Sequence, residues 1–186
     1  MKTSLSFFAY SFSLAIVFAI GFQQSNLNAQ AAGPEYDIFK KDVGEWDVEI
    51  TTFMTESGKP EVTKGTESNR MMGGFWLIAN FEGNLGGQDF KGHGIYGYDQ
   101  RKRKYVGTWA DSLGPVAMQT SGDYDKETET LTVEGESVGP DGSPAVYKMA
   151  TCYKDGKRVM TMYMTPKDGK EMKFFEMVYT KKKMEN

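Results

Sequence analysis

The sequence predicts an all-β protein: an antiparallel up-and-down barrel of about ten strands with a short N-terminal helix. Three observations point there. Apolar and polar residues alternate with period two through most of the chain after residue 32. Clusters rich in Asp, Gly and Pro recur between the alternating segments, as DYDKET, GPDGSP, KDGK and PKDGK. No crossover helix separates the strands, so the chain reads as a meander. Closing a meander of this length removes both sheet edges, which favours a barrel. A two-sheet sandwich is the alternative fold.

The elements follow in order. Pro34 opens PEYDIFKKDVGEW, where Ile38 and Phe39 among charged neighbours suggest one short helical turn. Trp46, Val48 and Ile50 then alternate with Asp47, Glu49 and Thr51. Weaker alternation spans Glu61 to Arg70, and Gly73-Gly74 leads into FWLIANF, apolar on both faces. Further strands are expected near Phe90 to Tyr98, Arg103 to Asp111, Val116 to Gly122 and Glu129 to Glu136. Three more are expected near Ala145 to Tyr153, Arg158 to Thr165 and Glu171 to Thr180.

The segment GHGIYGYDQRKRKYVGTWADS, Gly92 to Ser112, reads as a hairpin. Asp99 can accept a backbone hydrogen bond two residues on and close the tip. Before the tip, Phe90, Gly92, Gly94, Tyr96 and Tyr98 share one face, and after it Tyr105, Gly107 and Trp109 repeat the pattern. Glycines at these positions leave room for large rings or a bend.

The first thirty residues differ from the rest. Lys2, an apolar run from about Phe7 to Phe22, polar QQSNLN and small AQAA form the order of a secretory signal peptide. Ala29 and Ala31 place small side chains at the A-x-A spacing. The expected organisation is therefore a signal peptide over 1–31 and a barrel domain over 32–186, with export to the periplasm or beyond. No stable membrane anchor is expected after cleavage. The formal net charge of -3 gives nucleic-acid binding no electrostatic support. One cysteine, Cys152, cannot form an internal disulfide and reads as a buried, inert thiol.

Candidate chemistry is sparse. One histidine, His93, and one distant cysteine make no metal site. Met160, Met162 and Met164 share a strand face, but successive thioethers lie about 6.8 Å apart along it, too far for one Cu(I) to take all three. A flexible apolar lining suits them better. No cofactor, metal or catalytic set is therefore expected. The expected lumen residues are Trp46, Trp76, Tyr96, Trp109, Met162 and Phe174, and a small apolar or amphipathic molecule is the partner they suit. Glu176 is a further candidate, expected among Met172, Phe174 and Val178 as a buried carboxyl. The alternatives are a packed structural or protein-interaction module, or an enzyme using Glu176, Asp111 or His93. Asp111 is expected to organise the loop SLGP.

Three pieces together, GEW at Gly44 to Trp46, MMGGFWL at Met71 to Leu77, and the Gly92 to Ser112 hairpin, resemble the domain of unknown function 1579 family. That resemblance implies a lipocalin-like, calycin-type barrel and no established biochemical role. GEW also resembles the G-x-W of calycin barrels, where the tryptophan closes one barrel end under a basic side chain from the last strand. Lys170, Lys173 and Lys181 are the lysines considered for that place. Fatty-acid-binding relatives carry an Arg-x-Tyr pair near the C-terminus, but EMVYTKK has Met177 two residues before Tyr179. Nitrobindin-like barrels hold haem through a histidine near the C-terminus, and no histidine follows His93.

Overall fold

The computed structural model describes residues 32–183 except Gly86, and the expected signal segment, 1–31, lies outside the described residues. A 3-10 turn, Pro34–Tyr36, runs into α1, Asp37–Asp42. Ten strands follow: β1 Gly44–Thr52, β2 Glu61–Met72, β3 Trp76–Leu85, β4 Gln88–Asp99 and β5 Lys104–Asp111, then β6 Met118–Asp125, β7 Thr130–Val138, β8 Pro144–Cys152, β9 Arg158–Pro166 and β10 Met172–Lys181. Each strand pairs antiparallel with the next, and β1 pairs with both β2 and β10. The sheet is thus a closed up-and-down barrel, not a sandwich. Among the described residues no helix is long and apolar enough to cross a membrane.

The turns form where side chains can take over backbone hydrogen bonds. Asp99 Oδ1 accepts from the backbone N–H groups of Arg101 and Lys102, at 2.9 and 3.1 Å. Asp125 repeats the device with Glu127 and Thr128. In each turn a later residue, Arg103 or Glu129, takes a positive φ.

The glycines of β4 and β5 make space on the inner face. A Cβ on Gly92 would fall inside the Trp109 ring, and one on Gly94 or Gly107 would fall inside the Tyr96 ring. The alternation of glycine and aromatic residues thus lets the rings lie flat against the wall.

Burial is uneven around the barrel. Trp46, Val48, Ile50, Phe81, Phe90, Phe175, Met177 and Tyr179 form one buried cluster along β1, β3, β4 and β10. A second cluster joins the N-terminal segment to the barrel through Tyr36, Ile38, Phe39, Leu77, Tyr105 and Tyr153. Full burial of such side chains contributes roughly 1.5–3 kcal/mol each. Tyr36 Oη donates to Tyr98 O at 3.0 Å, and Tyr105 Oη donates to Glu35 O at 3.0 Å. These contacts seat the helical segment as a plug.

Candidate functional site

Beneath that plug lies a buried polar cluster. Asp42 ends α1, so its side chain turns inward where the helix meets the barrel. Its backbone carbonyl accepts from Trp46 Nε1 at 2.8 Å and Asn69 Nδ2 at 3.1 Å. Its carboxylate accepts from Tyr153 Oη at 2.9 Å and lies 3.0 Å from Arg158 Nε. Arg158 Nη1 donates to Glu67 Oε1 at 2.8 Å, and Asn69 Nδ2 donates to the same oxygen at 2.6 Å. The Asp42–Arg158 contact is an ion pair without hydrogen-bond alignment, so Asp42 Oδ1 and Arg158 Nε lack an aligned partner among the described residues.

Arg158 was not singled out by sequence reasoning. Its guanidinium lies 5.5 Å from the Trp46 ring centre and 3.8 Å from that of Tyr179. Of the three lysines considered for the tryptophan, Lys181 lies over the ring, at 5.4 Å, but it is exposed. The buried cation comes from β9, beside the last strand. The available signal was register: Arg158, Met160, Met162 and Met164 alternate on one strand face, which puts a charge in line with an apolar stripe.

Burial dominates the protonation of the cluster. It pushes the Asp42 carboxyl up to about 6, against the opposing pull of Arg158 and the Tyr153 hydrogen bond. Burial also lifts the phenols of Tyr96, Tyr153 and Tyr179 above their ordinary value. For Arg158, burial favours the neutral form, but Asp42, Tyr179 and Glu67 outweigh it and hold the guanidinium charged. Two carboxylates thus surround one cation.

Away from the plug, Met118, Ala145, Tyr147 and Met164 form a third buried cluster, while several inward side chains of β5 and β7 to β9 are only half-buried. They include Trp109, Val133, Met149, Met160 and Met162, which pack against the buried clusters without closing over one another. Val133, Met149 and Met162 form one cross-strand row that ends at the buried Phe175. Tyr96 lies deep enough for burial to shift its phenol, yet part of its surface remains accessible. The buried Thr120 Oγ1 has no hydrogen-bond partner among the described residues.

Trp46, Tyr96, Trp109 and Met162 therefore face inward as expected. Phe174 also packs inward, 5.2 Å from the Phe175 ring and 6.1 Å from the Tyr147 ring. Trp76 does not: it stands on the outer wall, 39% exposed, and covers Gly97. FWLIANF has no alternation, so its facing could not be read from the pattern. Glu176 is corrected for a different reason. A register shift between Lys173 and Phe175 reverses the facing, and Glu176 lies outside in an ion pair with Lys173 at 2.7 Å.

The enzyme candidates do not converge. His93 is on the outer wall, bonded through Nδ1 to Asn80 Oδ1 at 2.7 Å. Asp111 pairs with Gly92 rather than His93, and it accepts from Trp109 Nε1 and the Leu113 N–H, at 3.1 and 3.0 Å. It organises the loop start as expected. Cys152 is half-buried on the outer face rather than buried, with Sγ 3.9 Å from Thr128 O. Among the described residues no group of three or more His, Cys, Asp or Glu is placed to hold a metal. A concavity of about 870 Å³ on the outer wall is lined by charges that include Asp47, Glu82 and Lys91. Lys91 pairs with Glu82 at 3.2 Å and Lys182 with Asp47 at 3.4 Å, so much of that charge is internally answered.

No curated protein matches the chain. The fold is similar to the crystal structure of Rv2717c from M. tuberculosis, with a TM-score of 0.59 and 11% identity. That match covers 82% of this chain and all of the other, and at such identity it speaks to fold alone. The profile of a family described as Protein of unknown function (DUF1579) matches residues 31–181, and this chain, a ten-stranded lipocalin-like barrel, belongs to that family.

Proposed function

We propose that the protein is an exported, non-enzymatic barrel that holds a small apolar or amphipathic molecule in its lumen. The observation that carries this reading is the half-burial of five inward apolar side chains, Trp109, Val133, Met149, Met160 and Met162, beside a buried Met164. A core with no room would cover Met149, Met160 and Met162 as it covers Ile50 and Phe81. Methionine is flexible and polarisable, and a wall of it adapts to varied apolar shapes. Ligand binding there is driven by burial of apolar area, at about 25 cal/mol per Å². Export rests on the order of charge, apolar run and A-x-A spacing in residues 1–31.

Native mass spectrometry of the protein from its own host, without detergent, tests both parts. The expected result is a polypeptide beginning near Ala32 with an added mass that leaves on denaturation. Met160→Trp, which fills the lumen, is expected to abolish the added mass. A bare polypeptide that takes up no apolar molecule would instead favour a packed structural module.

A further inference from the structure

The helix end of the lumen narrows the chemistry of the ligand's head group, an inference that rests on the lumen reading above. The charged side chains there are Arg158, Asp42 and Glu67. Arg158 forms an ion pair with Asp42 through Nε and donates Nη1 to Glu67, and one face of its guanidinium lies against the Tyr179 ring. Its charge is therefore answered twice before any ligand arrives. A carboxylate entering this space meets one more negative charge than positive, in a medium that screens poorly. It cannot readily displace either acid, because Tyr153 and Asn69 also hold them. An ammonium fares little better. The excess negative charge attracts it, but it must shed its hydration on entry, and three of the four carboxylate oxygens already face Arg158, Tyr153 or Asn69.

What remains for a ligand is neutral hydrogen bonding. Tyr96 projects inward from β4 and packs against the buried cluster that contains Tyr153, whose hydroxyl donates to Asp42 at 2.9 Å. The Tyr96 hydroxyl can both donate and accept. We propose that the barrel selects amphipathic molecules with an uncharged, hydrogen-bonding head, such as an alcohol, and rejects free carboxylates.

The test compares dodecanol, dodecanoate and dodecylammonium, one chain length with three heads, by native mass spectrometry at pH 7.5. Dodecanol is expected to bind at least tenfold more tightly than either ion. Glu67→Gln removes one of the two answers to Arg158 and is expected to raise dodecanoate affinity about tenfold. Asp42→Asn provides the same test should Glu67→Gln fail to fold, and near-UV circular dichroism identifies which variants are folded. Tyr96→Phe keeps the ring and is expected to weaken dodecanol by about threefold to tenfold. Dodecanoate binding as tightly as dodecanol in the unmodified protein, or dodecylammonium binding most tightly, overturns the head-group inference and leaves the lumen reading standing. Failure of all three probes to bind overturns the lumen reading and this inference with it.

Discussion

Ile50 and Met160 both face the inside of the barrel, in one cross-strand row joined through Met177. Ile50 is completely buried, and Met177 beside it nearly so. Met160 is half-buried, and the row continues through Thr151 to Leu131, both also half-buried. The same layer of one sheet thus passes from packed core to open wall within three strands. On the β1 and β10 side, β-branched and aromatic side chains interlock with Phe81 and Phe90. On the β7 to β9 side, Met160 pairs with Thr151 and Met149 with Val133. In this layer the packing is tight on the β1 and β10 side and looser on the β7 to β9 side, whereas farther along β8 and β9 Ala145, Tyr147 and Met164 are buried again.

The largest expected effect comes from breaking the polar cluster beneath the helical plug. Arg158→Met leaves Asp42 and Glu67 buried without their cation. It is expected to destabilise the fold by about 3–5 kcal/mol, the usual cost of an orphaned buried charge. Urea unfolding measures it, and a loss below about 1 kcal/mol would mean that water already reaches both carboxylates.

Paired truncations test the comparison itself. Ile50→Ala is expected to cost about 2–5 kcal/mol, since a fully packed site cannot collapse around the missing atoms. Met160→Ala is expected to cost about 1 kcal/mol, because much of its surface is not covered in the folded state. Equal losses in thermal or chemical unfolding would show that the two sides are packed alike.

The smallest expected effect is a pH dependence. The Asp42 carboxyl is pushed up to about 6 from 3.8, so the folded state holds this proton more tightly than the unfolded chain. Its stabilising contribution is complete below about pH 4 and is lost as pH rises through about 6. The charge of Arg158 opposes protonation of Asp42, which keeps the dependence shallow. The stability difference between Asp42→Asn and the unmodified protein should therefore change between pH 4 and 7, with the unmodified protein gaining relative stability as pH falls. A difference independent of pH would place the Asp42 carboxyl in a wetter environment.

Much of this architecture was legible in the chain. All ten strands lie close to where alternation and turn clusters placed them, because both signals are local. The Gly92 to Ser112 hairpin was read with its inward rings and its Asp99 turn. The site was legible only in part. Trp46, Tyr96, Trp109 and Met162 face inward as their strand periods imply. Glu176 does not, because one irregularity at Lys173 to Phe175 reverses the facing of everything after it.

By itself, then, the sequence determined the strand set, the turns and the meander order, since each depends on a few neighbouring residues. Tertiary structure alone decided which side of the barrel is packed, which way Trp76 and Glu176 point, and that Asp42, Glu67 and Arg158 meet. Those three residues come from α1, β2 and β9, and Arg158 lies 91 positions from Glu67. No local pattern encodes a contact across that separation. It forms because closure of the barrel brings β9 and β2 to either side of the β1 and β10 pair, leaving one buried cation within reach of two buried acids.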